Sequence, residues 1–149
     1  MRVLVQRVTK ADVTVKSRSV AGIGKGLLIF VGIHKDDNAS DLRWMAEKIS
    51  HLRIFEDADG KMNLTLGQSN GAILSVPQFT LCADLKKGNR PGLDQAAPPV
   101  LAKSSWLDFN TLLREMGILV KEGEFGASMQ VALINDGPVT FWIDSRQPS

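Results

Sequence analysis

The stretch Leu27-Leu28-Ile29-Phe30-Val31-Gly32-Ile33 is a near-continuous apolar run, and it decides the fold. It is rich in residues that favour β-structure and lacks the polar alternation of a half-exposed strand, so it predicts a strand buried on both faces. Upstream, residues 3–8 and 11–16 alternate in polarity, with Val3, Val5 and Arg7 on one face, which predicts two further strands. A sheet is therefore expected to begin the chain and to run through its core.

Apolar residues at helical spacing predict two helices. The first begins at a capping residue among Asp37, Asn38 and Ser40 and extends to Leu52. The second begins at Pro98-Pro99, since proline suits the first helical turn, and ends near Gly117.

Strand-like segments fill most of the remaining sequence. Residues 53–56 form a short strand before a turn, and residues 71–76 and 78–83 are predicted strands separated by Pro77, where the lost donor predicts a bulge or an edge. Residues 128–134 and 139–144 are predicted as two final strands joined by a hairpin turn at Asn135-Asp136-Gly137-Pro138. The pattern predicts one α+β domain over residues 1–149, in which a strongly twisted, mostly antiparallel sheet curls into a partial barrel beside two main helices.

Size and composition narrow the class of protein. The 149 residues with 44% hydrophobic content suffice for one compact domain with a core. The net charge of +2 is lower than expected for a protein that coats nucleic acid, but it leaves room for a local basic patch. No segment resembles a secretory signal or approaches the roughly 20 apolar residues that cross a bilayer. A single cysteine, Cys82, suits a reducing compartment, so we expect a cytoplasmic protein that does not associate with membranes.

The usual catalytic groups of hydrolases are missing from the sequence. The histidines, His34 and His51, lie at a strand end and near a helix terminus, where surface or capping roles are expected rather than general-base catalysis. Cys82 has no histidine near it in sequence and is expected to be a small apolar residue of the core. No metal-ligand spacing and no glycine-rich phosphate loop is present, so neither a metal nor a cofactor is expected.

Three segments are candidate sites. In a strand, Gln78 and Thr80 would share one face, and these polar groups could line a pocket; a solvent-facing stripe is the ordinary alternative. Gly137-Pro138, taken from the residues alone, predicts a hairpin turn. The basic loop of Lys86, Lys87 and Arg90 could contact phosphates, although such runs are commonly solvated turns.

A series of short segments spans essentially the whole chain. They are Gln6-Arg7-Val8, Leu52-Arg53-Ile54-Phe55, Gly60-Lys61-Met62-Asn63-Leu64, Gln78-Phe79-Thr80-Leu81, Lys87-Gly88-Asn89-Arg90-Pro91, Phe125-Gly126-Ala127 with Met129, and Asn135-Asp136-Gly137-Pro138-Val139-Thr140. Each segment is weak alone, but their order and spacing are specific. By these segments the chain resembles the D-aminoacyl-tRNA deacylase family, of the D-Tyr-tRNA deacylase type.

The resemblance implies an editing esterase that releases the D-amino acid from mischarged tRNA. In this family a pocket binds the 3′-terminal adenosine of tRNA, and the 2′-hydroxyl is thought to assist ester cleavage, so the protein orients the ester and supplies hydrogen bonds. The resemblance implies that Gln78, Phe79 and Thr80 line this pocket, with backbone amides around Phe79 and Thr80 as oxyanion donors. The tRNA contacts would come from Lys86, Lys87 and Arg90.

The resemblance also implies how enantiomers are distinguished. Gly137-Pro138 would be a cis peptide inserted into the partner subunit's pocket, with its carbonyls facing the substrate's α-amino group and with Arg7 and Met129 in support. An L side chain would collide with it, whereas a D side chain would point to solvent. Because the site is completed across an interface, a two-fold homodimer is implied. Glycine has no side chain to exclude, so glycyl-tRNA is expected to be cleaved as well.

One position departs from the family pattern. The usual serine before Gln-Phe-Thr is Pro77 here, which resembles an animal paralogue that edits L-alanine from tRNA and has a trans Gly-Pro bond. Phe79 and the segment after Asn135 instead resemble the D-specific branch. Two alternatives therefore stay open: an editor of L-alanyl-tRNA, and a non-catalytic tRNA-binding module that kept the fold.

Overall fold

The central apolar run forms strand β3 (Gly26–Gly32) in the computed structural model of this chain, which describes residues 1–147. Leu27, Ile29 and Val31 belong to one buried cluster, and Leu28 belongs to another on the opposite face of the sheet. The prediction of a strand buried on both faces is confirmed. The expected domain boundary at Ser149 lies outside the described residues.

A six-stranded mixed sheet surrounds β3. Its other strands are β1 (Arg2–Val15), β2 (Arg18–Ile23), β6 (Ala72–Pro77), β7 (Leu119–Glu122) and β8 (Gln130–Asp144). β1 pairs antiparallel with three strands. The first half of β1 pairs with β3, its second half pairs with β2, and both halves pair with β8. β6 joins β3 in parallel, and β7 joins β6 in parallel. A separate small antiparallel sheet pairs β4 (Phe55–Glu56) with β5 (Met62–Leu64).

The main sheet curls towards closure. β2 lies close to β6 and β7 although it does not pair with them. Buried side chains from three strands fill the inside of the curl; they are Val8, Ala11, Val13, Leu28, Leu74 and Val76. The outer face packs against both helices through a larger cluster. This is the twisted, mostly antiparallel partial barrel with two helices that the sequence predicts.

The helices begin and end at the expected residues. α1 (Ala39–His51) has Asn38 as its N-cap, and a capping box is completed because the Asp41 carboxylate accepts from the Asn38 N–H. α2 (Pro99–Glu115) begins with proline and is followed by Gly117, whose φ of +83° suits a residue without a side chain. No helix within residues 1–147 is both long and apolar enough to cross a membrane.

The predicted hairpin at Asn135-Asp136-Gly137-Pro138 is wrong. Residues 130–144 form the single strand β8; Asn135 pairs with Val8, and residues 136–139 form an irregular bulge where the register with β1 shifts. β1 is likewise one strand of 14 residues rather than two, so it offers β8 a partner on both sides of the bulge. The chain therefore continues in the same direction after Pro138 instead of turning back.

The predicted strand over residues 78–83 is also wrong. β6 ends at Pro77, and a 3₁₀ helix, Phe79–Cys82, follows it. The Gln78 N–H donates to the Val31 carbonyl at 2.7 Å, which is the last ladder bond, and the Leu81 N–H donates to the Gln78 carbonyl at 3.2 Å. Pro77 makes no bulge. It lies beyond Ser75, where the pairing of β6 with β7 ends, so it occupies a local edge.

Candidate active site

A cavity of about 660 Å³ opens at the carboxyl ends of the parallel strands β3 and β6. Ile33 and Gln78, which directly follow these strands, line one side, and Ala102 and Trp106 of α2 line another. The volume is in the range of small-molecule sites, and the carboxyl ends of parallel strands are a common place for ligands. The other lining residues are Val31, Val76, Pro77, Phe79, Leu93, Ala96, Ala97, Pro98, Pro99, Phe125, Gly126, Ala127, Met129 and Val131.

The wall of the cavity is apolar and partly aromatic, and among residues 1–147 no residue that lines it has a titratable side chain. Trp106 is only 2% exposed, and its indole N–H donates to the buried Ser75 hydroxyl at 2.9 Å, which fixes the ring. The Phe125 ring lies 6.0 Å from the Trp106 ring, tilted by 39°. Such a wall can hold a flat base or an apolar side chain, but it offers no general base to a reaction.

The polar side chains of Gln78 and Thr80 lie together, as expected, but at the start of a 3₁₀ helix rather than on one face of a strand. The Gln78 carboxamide donates to the Thr80 hydroxyl. Gln78 and Phe79 line the cavity, and the Phe79 ring is 55% exposed, whereas Thr80 is exposed and does not line it. The N–H groups of Phe79 and Thr80 open the helix, where the first amides have no acceptor within the helix. They are available to an oxygen atom of a ligand.

Gly137 and Pro138 lie in the bulge of β8, are exposed, and do not line the cavity of their own chain. Their peptide bond is cis, and Gly137 has a φ of +119°. A side chain on Gly137 would lie 2.7 Å from Val139 Cγ2 and 3.1 Å from Arg7 Nη2. The bulge is therefore closely packed where it meets β1, although its outer surface faces solvent.

Arg7 supports the bulge from β1. It is buried, its Nη1 donates to the Ile54 carbonyl at 2.7 Å, and its Nε lies 3.1 Å from the Asp136 carboxylate. The Nε–H is not directed at that oxygen, so the second contact is an ion pair rather than a hydrogen bond. Arg7 thus joins the bulge to the segment before β4.

Met129 lines the cavity, where its sulfur accepts the Glu124 N–H at 3.4 Å. A side chain on Gly123 would meet the same sulfur at 3.0 Å, so the segment before Phe125 folds tightly over Met129. Met129 therefore shapes the wall that carries Phe125.

The basic residues Lys86, Lys87 and Arg90 are exposed. Their loop is closed at its base by two hydrogen bonds between Asp84 and Gly92, of 2.8 and 2.9 Å. It connects the 3₁₀ helix to Leu93, which lines the cavity, so the positive charges lie on a segment that joins two parts of the cavity wall.

The histidines and the cysteine lie outside the cavity. His34 is buried rather than at the surface, its Nδ1 accepts the Asp36 N–H at 3.2 Å, and burial together with the Arg146 charge lowers its pKa. His51 is exposed, with Nδ1 2.7 Å from the Glu47 carbonyl. Cys82 is buried in the core, and burial raises its pKa. Within residues 1–147 no group of three His, Cys, Asp or Glu side chains is placed to hold a metal ion.

Sequence reasoning missed most of the cavity wall. Trp106 is predicted only as a helix residue, and Phe125 only as part of a resemblance. The clearest sequence signal for the cavity is the segment Ala96-Ala97-Pro98-Pro99. Its small and rigid residues follow the exposed basic loop and leave space beside the sheet.

Comparisons with known proteins agree with this geometry. The profile of a family described as D-Tyr-tRNA(Tyr) deacylase matches residues 4–144. Curated proteins named D-aminoacyl-tRNA deacylase from Shouchella clausii and Thermotoga petrophila are each 52% identical, over 98% and 99% of this chain and 100% and 99% of their own lengths.

Solved structures share the fold. One described as c-Myc DNA Unwinding Element Binding Protein is 39% identical, with a TM-score of 0.93 over 100% of both chains. Another, described as a probable eukaryotic D-amino acid tRNA deacylase, has a TM-score of 0.81 at 20% identity, over 95% of this chain and 97% of its own. From the family profile and the full-length relatives, we conclude that this chain belongs to the D-aminoacyl-tRNA deacylase family.

Proposed function

We propose that this protein hydrolyses the ester bond of D-aminoacyl-tRNA, with the cavity receiving the 3′ end of the tRNA and the tRNA's own 2′-hydroxyl assisting the cleavage. Membership of the family supplies the coarser activity, deacylation of aminoacyl-tRNA by a hydrolase. The observation that carries the finer proposal is the cavity lining, which includes no titratable side chain from the part of the chain that the structure describes. A catalytic group must then come from elsewhere, and the substrate brings one.

The 3₁₀ helix supplies what the protein contributes to the reaction. The N–H groups of Phe79 and Thr80 can hold the ester carbonyl oxygen as it becomes negative, and the Gln78 carboxamide can orient the ester. Water attacks the carbonyl carbon, the bond to the 3′ oxygen breaks, and that oxygen takes up the proton that the water loses. The adjacent 2′-hydroxyl both donates and accepts hydrogen bonds, so it can align the water and the leaving oxygen.

The aromatic wall and the basic loop fit the two chemical parts of a tRNA 3′ end. The half-exposed Phe79 ring and the Phe125 ring can stack on the terminal adenine, because stacking on aromatic side chains is the usual way that unpaired bases are held. Lys86, Lys87 and Arg90 can contact the phosphates that follow.

Chirality is sensed, in this proposal, by the bulge of a partner subunit. Gly137 and Pro138 are exposed and do not line their own cavity, which suits a group that enters the cavity of a second copy. Main-chain atoms placed beside the substrate's α-carbon exclude an L side chain and leave a D side chain free. Glycine has no side chain for these atoms to exclude, so glycyl-tRNA is also a substrate.

The outer edge of β8 supports a homodimer. Among residues 1–147, β1 is the only strand that pairs with β8, so the other edge of β8 has no strand partner. Three large apolar side chains on β8 are exposed: Ile134 by 60%, Phe141 by 38% and Trp142 by 52%. A long, apolar, unpaired edge strand is a liability in a monomer and is normally covered. We therefore propose that two copies associate here, as one deacylase domain of residues 1–149 each, in the cytoplasm where tRNA is charged.

Hydrolysis of a small set of charged tRNAs tests the proposal. D-Tyr-tRNA and Gly-tRNA should be cleaved and L-Tyr-tRNA spared, and D-Tyr-tRNA ending in 2′-deoxyadenosine should bind but persist. Equal loss of the D and L esters would contradict the chiral assignment, and preference for L-Ala-tRNA would identify the paralogous editor. Binding of tRNA without any hydrolysis would identify a binding module, which matters because one structural relative is named for binding DNA.

A further inference from the structure

The side-chain amide of Asn135 joins the two ends of the bulge in β8. Its Nδ2 donates to the Arg7 carbonyl at 2.9 Å and to the Val139 carbonyl at 3.1 Å. Its Oδ1 lies within hydrogen-bond distance of the Gln6 carboxamide, at 3.3 Å, and of the Thr140 hydroxyl, at 3.2 Å. A primary amide has two donor hydrogens and two acceptor lone pairs, so every hydrogen-bonding group of this half-buried side chain has a partner.

These contacts lie where the pairing between β1 and β8 is interrupted. The register pairs Gln6 with Thr140 on one side of the bulge and Val8 with Asn135 on the other. Arg7 alone stands opposite the four residues 136–139, so the ordinary ladder bonds are interrupted there. The Asn135 amide spans the gap and closes the bulge at its neck.

We propose that Asn135 is a positioning residue for chiral selection, held by Gln6 and Thr140 in an amide clamp that fixes where the Gly137–Pro138 main chain projects. The inference rests on the proposed function, in which that main chain excludes L side chains. Arg7 holds Asp136 within the bulge, and the amide clamp holds the two ends of the bulge together. Two separate attachments leave the exposed tip little freedom to move as a unit.

The clamp affects selectivity more than turnover because the two depend on different parts of the molecule. Steric exclusion of an L side chain is lost when the main-chain atoms that block it move by about 1 Å. Cleavage of the D ester depends instead on the cavity and the 3₁₀ helix, to which Asn135 does not contribute. Loosening the neck should therefore admit L substrates while D substrates are still cleaved.

Asn135→Asp is the most direct perturbation, because it keeps the shape of the side chain and replaces both donor hydrogens by an oxygen facing the Arg7 and Val139 carbonyls. The ratio of kcat/KM for D-Tyr-tRNA over L-Tyr-tRNA should fall at least about tenfold, while kcat/KM for D-Tyr-tRNA changes by less than about threefold. Asn38→Asp is the matched control: the same chemical change at the N-cap of α1, where Asp caps as well as Asn, should leave the ratio unchanged.

Thr140 gives a second, milder test within the same clamp. Thr140→Val removes the hydroxyl near Asn135 Oδ1 at nearly constant shape and should lower the ratio, whereas Thr140→Ser keeps the hydroxyl and should restore it. Equal ratios for the two variants overturn the proposal, and this pair decides the matter if Asn135→Asp does not fold.

Other outcomes separate this inference from the proposed function. An Asn135→Asp protein that is folded and keeps the wild-type ratio overturns the clamp, as does a parallel loss of D and L hydrolysis. If the wild-type protein shows no preference for the D ester, the proposed function fails, and amide hydrogen exchange then tests the clamp alone. Faster exchange confined to residues 136–140 in Asn135→Asp supports it, and unchanged exchange there contradicts it.

Discussion

Replacement of Arg7 by methionine should destabilise the protein and loosen the bulge of β8 at the same time. Methionine fills a similar length of buried space but donates no hydrogen bond. The change leaves the Ile54 carbonyl without the donor that lies 2.7 Å from it, and it leaves Asp136 without its cationic partner.

The expected loss of stability follows from the burial of each contact. A buried carbonyl left without a donor costs about 1–3 kcal/mol. The ion pair adds less than about 1 kcal/mol, because the Asp136 side chain is 44% exposed and solvent screens it. The free energy of unfolding should fall by about 1–4 kcal/mol, which for a chain of this size lowers Tm by about 2–16 °C.

Urea unfolding followed by circular dichroism measures the change, with equal m-values required for the comparison. Arg18→Met is the control, because Arg18 pairs with Glu124 at 3.2 Å with side chains 61% and 44% exposed, and its loss should cost less than about 1 kcal/mol. An Arg7→Met protein as stable as the Arg18→Met control would refute the assignment of Arg7 as the support of the bulge. Its ratio of D over L hydrolysis should fall as well.

Three further changes have defined outcomes. Gly137→Ala should lower the D-over-L ratio by at least about tenfold, because a side chain at φ +119° is strained and would contact Val139 and Arg7; comparison of the two initial rates checks it. Changing Lys86, Lys87 and Arg90 to Ala should raise KM with little effect on kcat and flatten the slope of log KM against log salt by about 2 units. Burial and the Arg146 charge lower the pKa of His34 in the folded protein. As the pH drops below about 6.5, the unfolded chain therefore binds a proton before the folded protein does. The stability of the protein falls until the pH reaches the pKa of His34 in the folded state. Urea midpoints at pH 7.5 and 5.5 should therefore differ less for His34→Asn than for the wild-type protein.

Local patterns predict the elements whose signals are local. The capping box at Asn38, the proline start of α2 and the doubly buried β3 each follow from a few adjacent residues, and the structure contains all three. The same reasoning fails over residues 78–83, because four residues alternating in polarity fit a short strand and a single 3₁₀ turn equally well. What decides is Pro77, which lies where β7 no longer pairs with β6, and that position is set by the tertiary structure.

The bulge of β8 shows a second limit of sequence reasoning. Asn-Asp-Gly-Pro has the composition of a turn, and nothing within it reveals that β1 will pair on both sides of it. The contacts of Asn135 with Gln6 and Arg7 join residues more than 120 positions apart in the chain. The role proposed for Gly137 and Pro138 comes from the resemblance to a family, whereas the role proposed for Asn135 required the three-dimensional contacts.

Mixing two defective subunits tests most directly whether chirality is sensed across an interface. One variant, Ala127→Trp, fills the cavity but keeps the bulge; the other, Pro138→Ala, alters the bulge but keeps the cavity. With a ninefold excess of the filled variant, refolded together, about nine in ten open cavities face an intact bulge from the partner if dimers form at random. The ratio of D-Tyr-tRNA to L-Tyr-tRNA hydrolysis should then rise severalfold towards the wild-type value, up to about tenfold above that of Pro138→Ala alone, because about one in ten open cavities still faces an altered bulge. A mixture that keeps the ratio of Pro138→Ala alone would contradict selection by the partner subunit.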